Sequence, residues 1–453
     1  MNSLFNCQRK QRQDLETNHI YYIKYMFEDE NVNMLRYNYT NYNDEKINFL
    51  YSEYIYGISF NSNSLTKIPC CIQKLLNLKY LNCGFNKLTH LPDFVCSLNK
   101  LIDLECNNNN IKYLPKNIGN LILLKHLYID NNFIKSIPKS LNYLHSLKIF
   151  ICDHNNINKF IPAFYKLPNI KTIYMNYNSI CKIHIDISYP KITELYCHHN
   201  YLTKIPNNIG YCFNLLSLFL NNNKIRYIPE EINFLNKLIT LNVNNNEIIR
   251  FPSTLLGLTK LKYLFCEFNK IIQVPDSLGK LYDLTTLGLT SNNISNLPDS
   301  ITSLKKLVVL LLSYNKLTII PNLTPMISLQ ELYISHNNLT IIPSFILNLR
   351  SLSHIDINNN MIQYNHININ NIRELILLQN NINSLEKNTT CPISLETIEC
   401  GSNYMRCFQC KYIFSYDCIK IHFKNNKICP MCRSTWIDNT IYKMDNNKFL
   451  IEL

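Results

Sequence analysis

The chain has 453 residues, enough for two or three ordinary domains. Hydrophobic residues make up 46% of it and charged residues 17%, which excludes an intrinsically disordered chain. The formal net charge is +13, but the basic residues are scattered and no run of five occurs. This distribution favours a solvated surface over a nucleic-acid-binding stripe, so nucleic-acid binding is the weakest of the functions considered below.

The N-terminal residues, Met1 to Asp14, are polar and lack the apolar core of a signal peptide. No segment approaches the roughly 18 consecutive apolar residues of a membrane span. The best candidate, Leu307 to Leu312, is far too short. We therefore expect an intracellular, cytoplasmic protein without a membrane partner. In that compartment the 18 cysteines are expected to be reduced thiols or metal ligands rather than disulfides.

Residues 1–49 match none of the periodic segments that follow. Between Asp14 and Tyr39 the apolar residues have a loosely helical spacing, seen at Leu15, Ile20, Ile23, Met26 and Phe27. This pattern predicts an N-terminal cap over residues 1–49, for which a helix is one option. Such a cap would close the first coil of a repeat array.

Residues 50–390 repeat the pattern L-x-x-L-x-L-x-x-N-x-L-x-x-I-P. A clear copy begins at Leu215 and ends at Pro229. Steps of 23 residues, with few exceptions, separate the framework asparagines: Asn63, Asn86, Asn109, Asn132, Asn155, Asn178, Asn200, Asn223, Asn246, Asn269, Asn292, Asn315, Asn337, Asn360 and Asn380. This register resembles the leucine-rich repeat family over roughly residues 50 to 385.

Each position of the repeat has a physical role. The L-x-L segment is a short strand whose leucines point inward. The asparagine amides can bond the backbone and stack into a ladder, and the proline suits the return on the convex side. The sequence therefore predicts an α/β-type leucine-rich repeat solenoid of about 15 repeats. Short parallel strands would form its concave face, and its convex side would be irregular or 3₁₀-helical.

Five cysteines replace the second leucine of L-x-L, one repeat or more apart: Cys83, Cys106, Cys152, Cys197 and Cys266. Because the position points inward, we interpret them as buried apolar thiols rather than metal ligands. His198 and His199 lie in the loop before Asn200, where polar residues need no metal to explain them.

The residue between the two strand leucines points outward. It is a large aromatic in six repeats: Tyr128, Tyr174, Tyr196, Phe219, Phe265 and Tyr333. Ile151 and Asn242 interrupt the run. Aromatic side chains on a curved surface are good anchors, so these six are candidate partner-binding residues for a protein target. Composition alone is the competing explanation, since the chain has 30 tyrosines.

Seven of the 18 cysteines lie from Cys391 onward. Two C-x₂-C pairs among them, separated by 18 residues, have the spacing of a tetrahedral zinc site. Residues 391–436 resemble the RING and U-box group of ubiquitin ligase domains. Three segments carry this resemblance: Cys391-Pro-Ile-Ser394, Phe414-x₃-Cys418-Ile419 and Cys429-Pro430-Met-Cys432-Arg433. The resemblance implies a small zinc-binding α+β domain over residues 391–436, followed by a C-terminal tail over residues 437–453.

A complete RING domain uses eight ligands for two zinc ions. Here Ser394, Tyr412 and Ser415 stand where further ligands are expected. We therefore predict one zinc ion, with these ligands: Cys407, Cys410, Cys429 and Cys432. The alternative is a second zinc site with these ligands: Cys391, Cys400, Cys418 and His422.

The repeats and the zinc module together suggest an adaptor with ubiquitin-ligase character. The resemblance implies that a ubiquitin-conjugating enzyme docks on Ile393, His422 and Pro430, while Arg433 positions ubiquitin. The alternative is a non-catalytic protein-binding scaffold with a structural zinc knuckle. The chain has no paired carboxylates, phosphate loop or nucleophile elbow, which argues against a conventional hydrolase, kinase or oxidoreductase. It also resembles leucine-rich repeat proteins of giant DNA viruses, which would place it in the host cytoplasm.

Overall fold

The computed structural model describes the main part of the chain from residue 55 to residue 362, with short gaps. The described residues are 55–159, 167–183, 191–253, 255–341 and 343–362, together with the backbone of strands at 20–27, 30–37, 389–390, 397–398, 403–406, 413–415, 441–445 and 448–452.

The N-terminal segment contains a β-hairpin at residues 20–37, in place of the helix considered from the sequence. Strands β1 (Ile20–Phe27) and β2 (Glu30–Tyr37) pair antiparallel, with Phe27 opposite Glu30. Strand β2 also pairs in parallel with the first repeat strand, Met34 lying opposite Gly57. The segment therefore extends the repeat sheet at its N-terminal edge. The richness of β1 in tyrosine and isoleucine is a strand signal that outweighs the loose helical spacing.

Fourteen parallel strands of three residues form the rest of this sheet, one per repeat in chain order. They are β3 Gly57–Ser59, β4 Tyr80–Asn82, β5 Asp103–Glu105, β6 His126–Tyr128, β7 Ile149–Ile151, β8 Thr172–Tyr174, β9 Glu194–Tyr196, β10 Ser217–Phe219, β11 Thr240–Asn242, β12 Tyr263–Phe265, β13 Thr286–Gly288, β14 Val309–Leu311, β15 Glu331–Tyr333 and β16 His354–Asp356. The solenoid prediction is confirmed over these coils; Asn380, the fifteenth framework asparagine, lies outside the described residues.

The framework asparagines join neighbouring coils. Asn109 donates from Nδ2 to the carbonyl oxygens of Cys106 in its own coil (3.2 Å) and Cys83 in the preceding coil (2.9 Å). Its Oδ1 accepts the backbone N–H of Leu88 at 2.9 Å. The same arrangement recurs at each framework position from Asn86 to Asn360, and at Asn360 the bonds are 2.8 to 3.1 Å. One buried amide per coil thus satisfies backbone groups that the short strands leave unpaired.

In most repeats, the side of the coil opposite the strand carries a short 3₁₀ helix. The described helices are Cys70–Lys74, Asp93–Ser97, Ile118–Asn120, Lys139–Tyr143, Asn207–Tyr211, Glu230–Phe234, Asp276–Lys280, Asp299–Ser303 and Ser344–Asn348. All but Ile118–Asn120 directly follow a proline. The proline has no N–H to satisfy, and its carbonyl accepts the first bond of the turn, as when Val95 N–H donates to Pro92 at 3.1 Å.

A single hydrophobic core runs the length of the described coils. The middle residue of every repeat strand is buried, and so are the five cysteines of the L-x-L motif. Their predicted inward orientation is confirmed. Burial raises the pKa of each of these thiols, with Glu105 adding to the effect at Cys83. They are consequently poor nucleophiles.

Two further sheets follow the repeats. Strands β17 (Thr389–Thr390) and β18 (Thr397–Ile398) pair antiparallel. A second sheet contains β19 (Asn403–Arg406), β20 (Ile413–Ser415), β21 (Ile441–Asp445) and β22 (Lys448–Glu452), in the order β20-β19-β21-β22. Strand β21 pairs with β19, so β21 and β22, which lie in the segment that the sequence suggested as a C-terminal tail, share a sheet with β19 and β20 of the preceding module.

No helix in the described part of the chain has the length and apolar character that a membrane span requires.

Candidate functional site

The outer face of the repeat sheet carries the predicted aromatic residues. In most repeat strands the middle residue is buried and its two neighbours are only partly covered. Tyr128, Ile151 and Tyr174 lie opposite one another on adjacent strands, and Tyr174 is followed by Tyr196 and Phe219. Five consecutive strands therefore present a large apolar side chain in one row. The predicted outward position of these residues is confirmed.

Three of the six predicted residues, Tyr174, Tyr196 and Phe219, stack on one another; we call them the aromatic column. The ring centroids of Tyr174 and Tyr196 are 4.2 Å apart with an interplanar angle of 4°. Those of Tyr196 and Phe219 are 4.8 Å apart at 16°. Each ring is half-buried by its neighbours. Because the rings support one another, the column presents a pre-formed apolar surface with little side-chain freedom left to lose.

The other three predicted residues do not belong to this stack. Tyr128 lies at the same row, two strands before Tyr174, and contacts His126 with ring centroids 6.4 Å apart. Phe265 is separated from Phe219 by Asn242 and faces Gly288 on its other side. Tyr333 donates a hydrogen bond to Glu331 at 3.1 Å.

A second column runs beside the first, and sequence reasoning missed it. The residue before each framework asparagine is left-handed, with φ from 50 to 57° at all fourteen described positions. In three successive coils these residues are His154, Tyr177 and His199, which we call the histidine–tyrosine column. Tyr177 stacks on His154 and on His199, with ring centroids 4.1 Å apart in both pairs. Asparagine and histidine fill most of these positions, and both tolerate a positive φ better than most residues, so this preference was the available signal.

His198 lies against the histidine–tyrosine column. Its ring makes edge contacts with Tyr177 and His199, each at a centroid distance of 5.2 Å. Its Nδ1 is buried and has no hydrogen-bond partner among the described residues. Burial, followed by the neighbouring His199 and His154, lowers the pKa of His198 to about 4. The ring is therefore neutral near pH 7.

Four carboxylates adjoin the apolar row at its N-terminal end: Asp103, Glu105, Asp130 and Asp153, which we call the acidic group. Burial, together with the charges of Asp103 and Asp130, raises the pKa of Glu105 to about 7. Burial likewise raises the pKa of Asp153 to about 6, against the hydrogen bond that its Oδ1 accepts from Asn176 N–H at 2.7 Å. The pKa of Asp130 is also raised by burial. The repeat motif did not predict the acidic group; it predicted only the outward position of Glu105.

Family models for the leucine-rich repeat match two parts of the chain. A leucine-rich repeat region model covers residues 61–187, and a leucine rich repeat model covers residues 282–339. The structure of a leucine-rich repeat protein from Leptospira interrogans is 31% identical, with a TM-score of 0.67, and the match covers 72% of this chain and 83% of that one. The chain belongs to the leucine-rich repeat family.

Two other similar structures of leucine-rich repeat proteins were determined with ligands. The ectodomain of the receptor kinase GASSHO1/SCHENGEN3 from Arabidopsis thaliana, in complex with CASPARIAN STRIP INTEGRITY FACTOR 2, is 27% identical with a TM-score of 0.52, and the match covers 68% of this chain and 41% of that one. TLR13 in complex with ssRNA13 is 25% identical with a TM-score of 0.56, covering 68% and 47%. Among curated proteins no sequence matches this one. Leucine-rich repeat proteins are protein-interaction scaffolds. Repeat proteins use extended concave surfaces for binding.

The predicted zinc ligands of this leucine-rich repeat protein lie outside the described residues. The same holds for Ile393, His422, Pro430 and Arg433. Within the described residues, no group of three or more histidine, cysteine, aspartate or glutamate side chains could hold a metal ion. Cys407 and Cys410 are nevertheless bracketed by described strands, because β19 ends at Arg406, which pairs with Ile413 of β20.

Proposed function

We propose that this leucine-rich repeat protein recruits a protein partner on the outer face of its sheet, with the aromatic column as the anchor. One observation carries the proposal: Tyr174, Tyr196 and Phe219 form a continuous stack on three adjacent strands. Ile151 and Tyr128 continue the apolar row on the next two strands. Rigid aromatic side chains in a row give a large contact area at low entropic cost, which is the character of interface hot spots.

The energetic argument separates binding from folding. The side chains of the aromatic column lie outside the hydrophobic core, whereas the middle residues Ile173, Leu195 and Leu218 of the same strands are at most 1% exposed. Core residues explain the stability of these coils without the column. A stack of three rings on the solvent side is therefore better explained by a partner than by folding.

A capture experiment tests the proposal. The full chain is immobilised, and captured proteins are compared with those captured by a Tyr174→Ala, Tyr196→Ala, Phe219→Ala triple variant. We expect the triple variant to lose its specific partners while its free energy of unfolding falls by less than about 2 kcal/mol, because only aromatic stacking is removed. Tyr143→Ala is the matched control, since Tyr143 is 65% exposed and ends a 3₁₀ helix. Unchanged capture by the triple variant would contradict the proposal.

We further propose that the C-terminal module binds one structural zinc ion through its two C-x₂-C pairs. The β19–β20 hairpin supports this, because its connection, residues 407–412, contains both Cys407 and Cys410. Two thiolates at such a chain reversal can reach one metal ion. Strand β21 pairs with β19 a few residues after Cys432, so the chain returns to the same sheet beyond the second pair. The zinc ion would staple the module, as in other small domains that lack a large core.

Metal analysis of the full chain should find close to one zinc per chain, and Cys429→Ser should abolish binding because the remaining three thiolates hold the ion poorly. Cys181→Ser is the control, since Cys181 is an exposed cysteine of the repeats. Two zinc ions per chain would instead support the eight-ligand alternative with Cys391, Cys400, Cys418 and His422.

The module would make the protein a ubiquitin-ligase-like adaptor. This part of the proposal is supported by the resemblance of residues 391–436 to RING and U-box domains. Ile393, His422 and Pro430 would contact the conjugating enzyme, and Arg433 would hold the ubiquitin thioester in a reactive pose. Such a protein supplies no nucleophile, so its effect on the reaction is one of proximity and orientation. It would act in the cytoplasm, or in the host cytoplasm if the chain is viral.

Discharge of ubiquitin from conjugating enzymes tests the ligase function in the full chain. We expect stimulated discharge of at least one enzyme in a broad panel. Ile393→Ala should abolish docking, whereas Arg433→Ala should preserve docking and slow discharge about tenfold, roughly the loss of one charge-assisted hydrogen bond. If the zinc-loaded protein neither binds nor stimulates any enzyme, the scaffold alternative is the correct function.

A further inference from the structure

We propose that the segment bound on the outer face carries a lysine or arginine that docks on the acidic group, with apolar side chains about four residues away that cover the aromatic column. The inference rests on the proposed protein-binding function and specifies the chemistry of the partner. It follows from the juxtaposition of two surfaces, one acidic and one aromatic, on adjacent strands of one sheet.

The acidic group and the apolar row are contiguous. Glu105 on β5 lies opposite Tyr128 on β6, which begins the row of five apolar side chains. Asp130 and Asp153 follow Tyr128 and Ile151 by two residues, and alternation puts them on the same outer side because Ile129 and Cys152 between them are fully buried. A ligand that crosses the strands therefore meets carboxylates first and aromatic rings next.

The strand spacing predicts the pattern of the ligand. The acidic group is centred near β6 and the aromatic column on β9, three strands further along. At about 4.8 Å per strand, the two centres are about 14 Å apart. An extended peptide advances about 3.3 Å per residue, so about four residues separate its cationic side chain from its apolar side chains.

Three members of the acidic group, Glu105, Asp130 and Asp153, have no lysine or arginine partner among the described residues, whereas Asp103 contacts His126. The contacts that Glu105 and Asp153 make are with amides: Asn82 donates from Nδ2 to Glu105, and Asn176 donates to Asp153. The absence of a lysine or arginine partner among the described residues is unexpected in a chain of net charge +13. A cation from outside would supply it.

Asp103 gives an independent indication of a missing ligand. It is only 9% exposed, and its Oδ2 contacts His126 Nδ1 at 2.9 Å. Its Oδ1 is buried and has no hydrogen-bond partner in the part of the chain that the structure describes. A buried, unsatisfied carboxylate oxygen costs free energy that native structures rarely leave uncompensated. An ammonium or guanidinium group docked on the acidic group would offset the negative charge of the carboxylates.

The charge argues against nucleic acid on this face. Phosphate groups that approached the aromatic column from the β5–β7 side would meet the carboxylates, and like charges in a partly desolvated site repel strongly. We therefore commit to a protein segment, and nucleic-acid binding becomes one outcome of the test.

Synthetic peptides provide the probe. Each carries two arginines and two tryptophans separated by three glycine or serine residues, in both orders. Matched peptides replace arginine with citrulline, which keeps the shape and removes the charge, or with glutamate. Binding to the full chain is measured by fluorescence anisotropy at 50 and 300 mM salt. We expect the arginine peptide of one order to bind at least tenfold more tightly than its citrulline counterpart, with the difference shrinking at high salt.

Two isosteric double variants locate the binding site. Glu105→Gln with Asp153→Asn should remove the preference for arginine over citrulline. Asp276→Asn with Asp299→Asn makes the same change in net charge at the start of two 3₁₀ helices on the other side of the coils, and should retain the preference. Thermal melts confirm that both variants are folded.

The outcomes separate this inference from the proposed function. Equal binding of arginine and citrulline peptides, or an unchanged preference in Glu105→Gln with Asp153→Asn, overturns the cationic partner. If Tyr196→Ala still abolishes binding in that case, the aromatic column remains the anchor and the proposed function stands. Binding of no peptide, or competition by a single-stranded oligonucleotide at equal affinity, also overturns the inference, and the capture experiment then decides the proposed function by itself.

Discussion

The inner and outer sides of the repeat strands differ in how much they vary. On the inner side, the middle residue is leucine, isoleucine or phenylalanine in all fourteen repeat strands and is at most 1% exposed. On the outer side, the residue that follows it ranges from Glu105 through Tyr174 and Phe219 to Gly288. Close packing restricts the inner side to a narrow range of volume and polarity, whereas solvent imposes no such limit outside. The outer variation is therefore where the function of individual coils is encoded.

The outer side itself divides into two surfaces. The coils from β5 to β7 place four carboxylates together, and the coils from β8 to β10 place three stacked rings together. Both surfaces rest on the same repeating scaffold of buried leucines and asparagine amides. One fold thus presents two chemistries on one face, which a uniform repeat could not do.

The largest expected effect comes from breaking the scaffold. Asn109→Ala would leave the buried N–H of Leu88 unpaired. It would also remove one of the two amide hydrogen bonds that each carbonyl oxygen of Cys83 and Cys106 accepts. We expect a loss of about 3 kcal/mol in the free energy of unfolding, because an unsatisfied buried N–H costs about 1 to 3 kcal/mol and each lost hydrogen bond about 1 kcal/mol. Denaturant unfolding measures the change.

Its control is the next residue. Asn110 is exposed, so Asn110→Ala should change the free energy of unfolding by less than about 0.5 kcal/mol. A similar cost for both variants would show that the asparagine ladder does not carry the stability of the coils. The inner and outer sides would then differ less in their energetic roles than the structure indicates.

The parts of the molecule that sequence reasoning predicted correctly are the periodic ones. The 23-residue register specified the inward cysteines, the asparagine ladder and the outward row, since each position repeats the same packing problem. The β1–β2 hairpin was missed because residues 20–37 have no repeat to fix their period. The histidine–tyrosine column and the acidic group were missed because they depend on contacts between side chains of different coils. The column also depends on left-handed backbone residues, and the sequence pattern does not show where their side chains point.

An intermediate effect is expected on the pH dependence of the free energy of unfolding, through Glu105 on the outer side. The pKa of Glu105 is raised by burial from 4.5 to about 7, so the folded state binds more protons than the unfolded state between these values. Stability contributed by protonated Glu105 is therefore lost as the pH rises through 7. In Glu105→Gln this loss is absent, and the variant should gain up to about 3 kcal/mol relative to the unmodified protein between pH 4 and pH 8.

Unfolding curves measured at several pH values test this difference. Asp283→Asn is a suitable control, because the hydrogen bond from Lys306 lowers the pKa of Asp283 and places its titration below this range. The Asp283 variant should follow the unmodified protein between pH 5 and pH 8. A Glu105→Gln variant that did the same would mean that the carboxylates of the acidic group are better solvated than their burial indicates.

The smallest expected effect concerns the five cysteines on the inner side, which should not react with a thiol reagent. Cys83, Cys106, Cys152, Cys197 and Cys266 are fully buried, and burial raises their thiol pKa values, so neither access nor thiolate is available. Native labelling with iodoacetamide under reducing conditions, followed by peptide mass spectrometry, should leave these five unmodified. Cys70 and Cys181 are exposed and serve as internal positive controls. Rapid modification of the five at native pH would require the coils to open locally, and the inner side would then be a dynamic surface rather than a fixed core.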